Sequence, residues 1–107
     1  MTSKKTAKSK RASFPRIADY TKDFRKDWKR LSHSGRYDMN RLKAVMLHLI
    51  ANDEPLGAEY SDHALTGDLE PFRECHIGGD FLLMYILDDE AGEIIFSRAG
   101  THAELFK

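Results

Sequence analysis

A chain of 107 residues that is 41% hydrophobic and 32% charged has the composition of one globular domain. The single cysteine, Cys75, excludes an internal disulfide, and the longest apolar run, residues 81–87, is far too short to span a membrane. No apolar segment follows the basic start, so we expect a cytoplasmic protein without a secretory signal.

The net charge of zero conceals two oppositely charged halves. Residues 1–45 contain 14 Lys and Arg against 4 Asp and Glu, whereas residues 46–107 contain 3 against 13. A basic half either attracts phosphate backbones or simply faces solvent and the acidic half. Residues 1–13 are rich in Lys, Ser and Ala, and we expect a basic disordered tail there and a single domain over residues 14–107.

The first part of the domain predicts one strand and two helices. "FPRIADY", residues 14–20, is a short strand that Pro15 confines to a sheet edge or a strand start. An amphipathic helix ending at Gly35 is predicted from apolar residues at helical spacing: Tyr20, Phe24, Trp28 and Leu31. Asp38 is the expected N-cap of a second helix that stops near Asn52. Its apolar stripe comprises Met39, Leu42, Val45, Met46, Leu49 and Ile50.

The second part of the domain predicts three strands. Residues 56–70 have no clear period and are expected to form a loop, after which residues 72–77 alternate as a strand does. Residues 81–87 are apolar at both parities, which predicts a central strand covered on both faces. A hairpin loop containing Gly92 leads to a third strand, "IIFSR", and residues 101–106 predict a short helical turn. The order β-α-α-β-β-β predicts an α+β fold with a helical hairpin on one sheet face.

Three of the five histidines lie near strand ends or in loops, where site residues gather. They are His63, His76 and His102, whereas His33 and His48 are expected on helix surfaces. Because histidine gains and loses a proton near neutral pH, these three with Asp62, Asp80 and Arg98 would suit hydrolysis or phosphoryl transfer. The spacing contains no HxxxH, HExxH or CxxC pattern for a metal. Cys75 should point away from His76 into the core, since neighbouring strand residues face opposite sides.

Three stretches give these residues a family context. "YSDHALTG", "FRECHIGGDFLLMYIL" and "SRAGTHAELF" resemble, in that order, motifs of the YafQ branch of the RelE-like toxins of bacterial type II toxin–antitoxin pairs. The second predicted helix also resembles that branch, so the likeness covers most of residues 19–107. The resemblance implies a microbial-RNase-like α+β fold. Its helical hairpin packs on a small, mainly antiparallel sheet, and its C-terminal tail lies at the active site.

The resemblance also implies a function and its partners. Members of the branch enter the ribosomal A site and cleave the translated mRNA without a metal or cofactor. A cognate antitoxin neutralises them and represses its own operon, so operator DNA would be contacted only through the antitoxin, and no membrane is involved. The catalytic positions implied for this sequence are His63, His76, Asp80 and His102.

RNA supplies its own nucleophile in such a reaction, the 2′-OH beside the scissile phosphate, so the protein must position it and move protons. We expect His76 and His102 to be the acid–base pair, without assigning which is which. Asp80 would orient an imidazole or the 2′-OH, and His63 would bind phosphate or assist proton transfer. Phe106 would stack on a base, as aromatic side chains do with unstacked RNA.

Basic residues are expected to bind RNA in two places. Arg73 or Arg98 would stabilise the negative charge that builds on the phosphorane. The helix faces would contact ribosomal RNA or an acidic antitoxin through Lys22, Arg25, Lys26, Lys29, Arg30, Arg41 and Lys43.

Two alternatives to the ribonuclease remain open at this point. A ParE-like toxin of the same fold would poison DNA gyrase and would not need the three histidines. A catalytically inactive module that binds nucleic acid or a partner would tolerate the loss of His76 and His102.

Overall fold

Residues 14–106 are described by a computed structural model; the expected basic tail, residues 1–13, lies outside the described residues, as does Lys107. Over this range the chain forms five strands and three α-helices. In chain order they are β1 (Ile17–Tyr20), α1 (Lys22–Ser34), α2 (Met39–Ala51), β2 (His63–Ala64), β3 (Arg73–Gly78), β4 (Phe81–Asp88), β5 (Glu93–Gly100) and α3 (His102–Leu105). Two short 3₁₀ turns, Ala58–Tyr60 and Gly67–Leu69, flank β2.

The ends of the two long helices follow from local residue chemistry. The hydroxyl of Thr21 accepts a hydrogen bond from the Phe24 N–H at 3.0 Å and so caps the start of α1. Gly35 ends α1 with φ of 73°, a left-handed conformation that glycine adopts without strain. Asp38 caps α2 as predicted, and α2 ends at Ala51, directly before Asn52.

The apolar stripes of both helices pack on one face of the sheet, as predicted. The buried cluster contains, from the helices, Phe24, Leu31, Leu42, Val45, Met46 and Leu49, and from the strands, Cys75, Ile77, Phe81, Leu83, Tyr85, Ile94, Phe96 and Ala99. Tyr20 is the last residue of β1, as the strand predicted for residues 14–20 implies, and so it precedes the helix whose apolar stripe was expected to begin with it. Asp27 is buried although it lies on the charged helix α1, and its partner is described below.

The sheet has the strand order β1-β5-β4-β3-β2. β1 occupies an edge, as Pro15 predicted, and pairs in parallel with β5, while the other pairs are antiparallel. β4 is the central strand, as its apolar run predicted. β2 was not predicted: it is a two-residue strand within the segment expected to be a loop, and it adds His63 to the sheet opposite Glu74.

The pairing register decides which side chains share the face opposite the helices. Directly paired residues point to the same side of a sheet. His63 is paired with Glu74, and His76, two residues further along β3, points to the same side. The expected site histidines on β2 and β3 therefore lie on the face that the helical hairpin leaves uncovered. None of the helices within residues 14–106 has the length and apolar character to cross a bilayer.

Candidate active site

His102, His76 and Phe106 form a row of rings on the exposed side of the molecule. The ring centroid of His102 lies 6.0 Å from that of His76 and 5.8 Å from that of Phe106. His76 projects from β3, His102 is the first residue of the short helix α3, and Phe106 directly follows that helix. The structure thus brings together the two imidazoles that the sequence analysis expected to form an acid–base pair.

α3 is only one turn long, and side-chain contacts at its start hold it in place. Thr101 and Glu104 form a reciprocal capping box, in which the Thr101 hydroxyl accepts from the Glu104 N–H and the Glu104 carboxylate accepts from the Thr101 N–H. The same Glu104 carboxylate lies 2.7 Å from an Nη of Arg30 on α1. These contacts fix the first turn, which begins with His102.

Asp80 orients the imidazole of His102. It lies in the turn between β3 and β4, and its Oδ1 is 2.7 Å from His102 Nδ1 and 3.2 Å from the His102 main-chain nitrogen. The hydrogen bond with the His102 side chain, helped by that main-chain N–H, lowers the pKa of Asp80. An ionised carboxylate only accepts, so Nδ1 carries the proton and Nε2 is the atom left to exchange one.

His63 and His76 share a buried carboxylate that the sequence analysis missed. Glu74 is only 4% exposed, and its Oε2 lies 3.7 Å from His63 Nε2 and 3.8 Å from His76 Nε2. Nδ1 of His63 donates to the Ser61 carbonyl oxygen at 2.6 Å, which leaves Nε2 directed at Glu74. The alternation of β3 was the available signal, because Glu74 and His76 are two residues apart and share a face.

Arg98 is anchored by a second unpredicted carboxylate, Asp27. Arg98 Nε and Nη2 donate to the two carboxylate oxygens at 2.7 and 3.2 Å, and the Ala99 N–H donates to one of them at 3.0 Å. Burial opposes ionisation of Asp27, but the bonds from Arg98 and the Ala99 N–H outweigh it and lower the pKa of that carboxyl. The hydrogen bond to Asp27 in turn raises the pKa of Arg98.

Arg73 does not join this cluster. Its side chain lies on the helix-facing side of the sheet, 3.3 Å from Asp62, and Asp62 also accepts a hydrogen bond from the Tyr85 hydroxyl. The His76 side chain lies on the opposite face of the sheet, because Arg73 and His76 are separated by an odd number of positions along β3. Of the two arginines expected to stabilise the phosphorane, Arg73 therefore lies on the sheet face opposite His76. Asp62, expected among the site groups, is its structural partner.

The seven basic helix residues divide into two groups. Three of them make contacts within the protein: Arg30 with Glu104 and Asp27, Arg41 with the Ile77 carbonyl oxygen and the Tyr60 ring, and Lys43 with the Trp28 ring. The other four are exposed along α1 and form what we call the α1 basic face: Lys22, Arg25, Lys26 and Lys29.

Cys75 is a core residue, as expected, and not a nucleophile. It is completely buried, and burial together with the charges of Asp62 and Glu74 raises the pKa of its thiol to about 12. Among residues 14–106, no three His, Cys, Asp or Glu side chains are arranged to hold a metal ion.

The family model for YafQ, a bacterial toxin of type II toxin–antitoxin systems, matches residues 16–107. The chain belongs to the YafQ toxin family. It is 42% identical over 91 residues to the mRNA interferase toxin YafQ of Escherichia coli K12, which covers 85% of this chain and 96% of that protein. The expectation of a YafQ-type mRNA interferase toxin is confirmed, and with it the endoribonuclease class.

Solved structures of YafQ-family toxins have the same fold. A copper-bound mutant toxin from Helicobacter pylori is 42% identical, with a TM-score of 0.78 over 85% of this chain and 99% of that one. YafQ in the E. coli DinJ–YafQ toxin–antitoxin complex is 40% identical, with a TM-score of 0.77 over 88% and 100% of the two chains. These matches confirm the predicted α+β fold and favour the YafQ branch over a ParE-like gyrase inhibitor.

Proposed function

We propose that this YafQ-family toxin cleaves translated mRNA on the ribosome by metal-independent acid–base catalysis, with His76 and His102 as the proton-transfer pair. The observation that supports it is the 6.0 Å separation of the two imidazole rings, one of them oriented by Asp80. Two imidazoles this close together can serve the same phosphate, one exchanging a proton with the attacking oxygen and the other with the leaving oxygen.

The reaction needs two proton transfers. One histidine takes the proton of the 2′-OH as the 2′-oxygen attacks the phosphorus, and the other donates a proton to the 5′-oxygen as the P–O5′ bond breaks. The products are a 2′,3′-cyclic phosphate and a 5′-hydroxyl; the proton lost by the 2′-OH is balanced by the proton gained at the 5′-oxygen, and no water is consumed. Because Asp80 holds the proton on Nδ1 of His102, its transfer passes through Nε2.

Glu74 and His63 support the same pair from the strand side. One oxygen of the buried Glu74 carboxylate lies within 3.8 Å of Nε2 of both His63 and His76, so its charge stabilises whichever imidazole is protonated. His63 is in turn fixed through its Nδ1 by the Ser61 carbonyl. His63 therefore assists proton transfer or binds the phosphate, and Glu74 is a positioning residue.

Arg98 and Phe106 contact the RNA on either side of the reacting group. Two guanidinium nitrogens of Arg98 are fixed by Asp27, and its remaining N–H donors stabilise the charge on the phosphorane. Phe106 is 38% exposed beside His102, where its ring can stack on a splayed base.

An antitoxin is the second partner that we propose. E. coli YafQ forms a toxin–antitoxin complex with DinJ, and we infer that this toxin likewise binds a cognate antitoxin that neutralises it. The α1 basic face suits either an acidic antitoxin segment or ribosomal RNA. We infer that the toxin acts in the cytoplasm, where ribosomes translate mRNA, and that it reaches operator DNA only through the antitoxin.

Induced expression of the wild type, His102→Ala and the exposed-helix control His33→Ala tests the proposal. The wild type and the control should arrest growth and produce new mRNA 5′ ends inside translated codons by primer extension, and His102→Ala should do neither. Growth arrest without cleavage, unchanged in His102→Ala, would refute the catalytic mechanism. Cleavage of the same mRNA without translating ribosomes would refute ribosome dependence.

A further inference from the structure

A cleft next to the candidate active site has no role in the proton transfers described above. It lies between the start of α2 and the turn that joins β3 to β4, and its volume is about 480 Å³. This volume falls within the range of roughly 300–1,000 Å³ that is typical of small-molecule sites. Its lining includes Arg36, Tyr37, Arg41, Asp80, Phe81 and Thr101. Asp80 therefore borders the cleft and also holds His102.

The floor of the cleft is aromatic. The Tyr37 ring lies 4.9 Å from the ring of Phe81, centroid to centroid, at an angle of 57°. Phe81 is 5% exposed and belongs to the core, so it fixes the position of Tyr37, which is only half-buried. A rigid, partly exposed aromatic ring is a surface on which a flat base stacks favourably.

Two guanidinium groups lie at the same cleft. The Nε of Arg41 donates to the Ile77 carbonyl oxygen, and its guanidinium lies 4.7 Å above the Tyr60 ring, so the group is held in place. Arg36 is exposed at the rim. In the part of the chain that the structure describes, neither arginine forms a salt bridge with a carboxylate. Their charges therefore remain available for an anionic ligand.

The two carboxylates of the cleft are already engaged by neighbouring groups. Asp38 accepts the Arg41 main-chain N–H at 2.9 Å as the cap of α2. Asp80 is bonded to the main chain and side chain of His102. The cleft thus combines a stacking surface with two unpaired cations, a pairing that suits a base and its phosphate better than an acidic or apolar peptide.

We propose that this cleft binds a nucleotide of the mRNA that flanks the scissile phosphate, with its base on Tyr37 and its phosphate against Arg41 and Arg36. The inference rests on the proposed ribonuclease function and adds a subsite that selects the register of cleavage. Asp80 links the two places, because it borders the cleft and orients the proton-transferring imidazole. A nucleotide held in the cleft therefore places the next phosphate beside His102.

Steady-state cleavage of an mRNA on programmed ribosomes separates this subsite from the catalytic step. Tyr37→Leu keeps an apolar contact with Phe81 but removes the ring, so KM should rise by about tenfold or more while kcat changes little. Tyr37→Phe keeps the ring and should match the wild type, as should the surface control His33→Ala. Arg36→Ala, a rim variant that leaves the packing intact, should also raise KM and should weaken its dependence on salt.

An abasic scan of the mRNA gives a second readout. Removing the base at one flanking position should raise KM for the wild type and have no further effect for Tyr37→Leu, because the contact is already lost. An unchanged KM in a folded Tyr37→Leu and in Arg36→Ala would overturn the subsite, as would the same abasic penalties in both proteins. Weakened antitoxin binding with an unchanged KM would also overturn it and assign the cleft to the antitoxin. If the wild type itself fails to cleave, the proposed function fails rather than the subsite.

Discussion

Asp27 and Arg98, 71 positions apart in the chain, form a two-bond ion pair that joins α1 to β5. Asp27 is 5% exposed, and it also accepts the Ala99 N–H, so it satisfies a main-chain donor at the end of the last strand. The pair therefore has two consequences, one for the stability of the fold and one for the position of the Arg98 guanidinium.

Asp27→Asn should destabilise the protein at neutral pH. The Asn amide keeps one acceptor oxygen but carries no charge. A hydrogen bond to a charged group contributes about 1.5–3 kcal/mol to the free energy of unfolding. We expect the free energy of unfolding in urea to fall by about 2 kcal/mol. Asp23→Asn, which changes an exposed carboxylate one turn earlier in α1, serves as the control and should stay within about 0.5 kcal/mol of wild type.

The same pair predicts a dependence of stability on pH. The pKa of Asp27 is lowered in the folded state, so its contribution is fully present above the unfolded value of 3.8 and is lost as pH falls through the folded pKa. The difference in unfolding free energy between wild type and Asp27→Asn should therefore be constant above about pH 5 and shrink below pH 4. A difference that grows on acidification would contradict the assignment.

Substitution of His102 should lower kcat more than substitution of Asp80. His102→Ala should lower kcat by about 10²–10⁴-fold, the usual contribution of a general acid or base. Asp80→Asn should cost less, because it removes the acceptor that fixes the tautomer but leaves the imidazole. Both side chains are exposed, so the melting temperatures should change little. Single-turnover cleavage on ribosomes measures the first effect, and a Tm that collapses in either variant would argue for a structural role.

Because the hydrogen bond with His102 lowers the pKa of Asp80, this carboxylate should stay ionised throughout the working range. Above about pH 4, every limb in the pH–rate profile of the wild type should therefore also be present in the profile of Asp80→Asn. Such a limb in the wild type, lost in Asp80→Asn, would show that Asp80 itself exchanges the proton.

Glu74→Gln tests whether the buried carboxylate acts through the two imidazoles that flank it. The amide has nearly the same shape, so the fold should persist, whereas the charge that stabilises a protonated imidazole is removed. We expect kcat to fall by about tenfold or more with little change in KM, and the acidic limb of the pH–rate profile to move. Glu70→Gln, an exposed carboxylate preceding β3, is the control. Equal effects on kcat and KM at every pH would make Glu74 a purely structural residue.

Cys75 should be unreactive until the protein unfolds. Its thiol is completely buried and its pKa is raised to about 12, so almost none is thiolate at neutral pH. Labelling by a thiol reagent should be negligible in buffer and should rise with urea in step with the loss of circular dichroism. Rapid labelling of the native protein would show that β3 opens locally.

The elements that could be predicted are those determined by residues close together in the sequence. Apolar spacing located α1 and α2, capping residues located their ends, and an apolar run at both parities identified β4 as central. β2 could not be found in this way, because two residues have no period and its pairing partner lies some ten positions away in the chain. The pattern of residues 56–70 therefore predicts only a loop.

Site residues of a distinctive type, such as histidine, could be predicted from the sequence. Carboxylates that become site residues only because the fold buries them could not. His76, His102 and Phe106 do come together, as the family motifs implied. Asp27 and Glu74 were missed because a carboxylate in a charged stretch is usually solvated, and only the tertiary fold buries these two. Arg73 lies three positions before His76 on β3, so the alternation of the strand places the two side chains on opposite faces of the sheet.

Because β1 pairs in parallel with β5, the sheet is completed only late in the synthesis of the chain. Ile17 is matched with Glu93, so the first strand has no partner until the last strand has been translated. His102 and Phe106 come later still. A nascent chain that stops before β5 contains α1, α2 and the other four strands, yet has neither the β1–β5 pairing nor the row of rings. The row of rings to which we assign catalysis therefore assembles only after every strand of the described sheet has been synthesised.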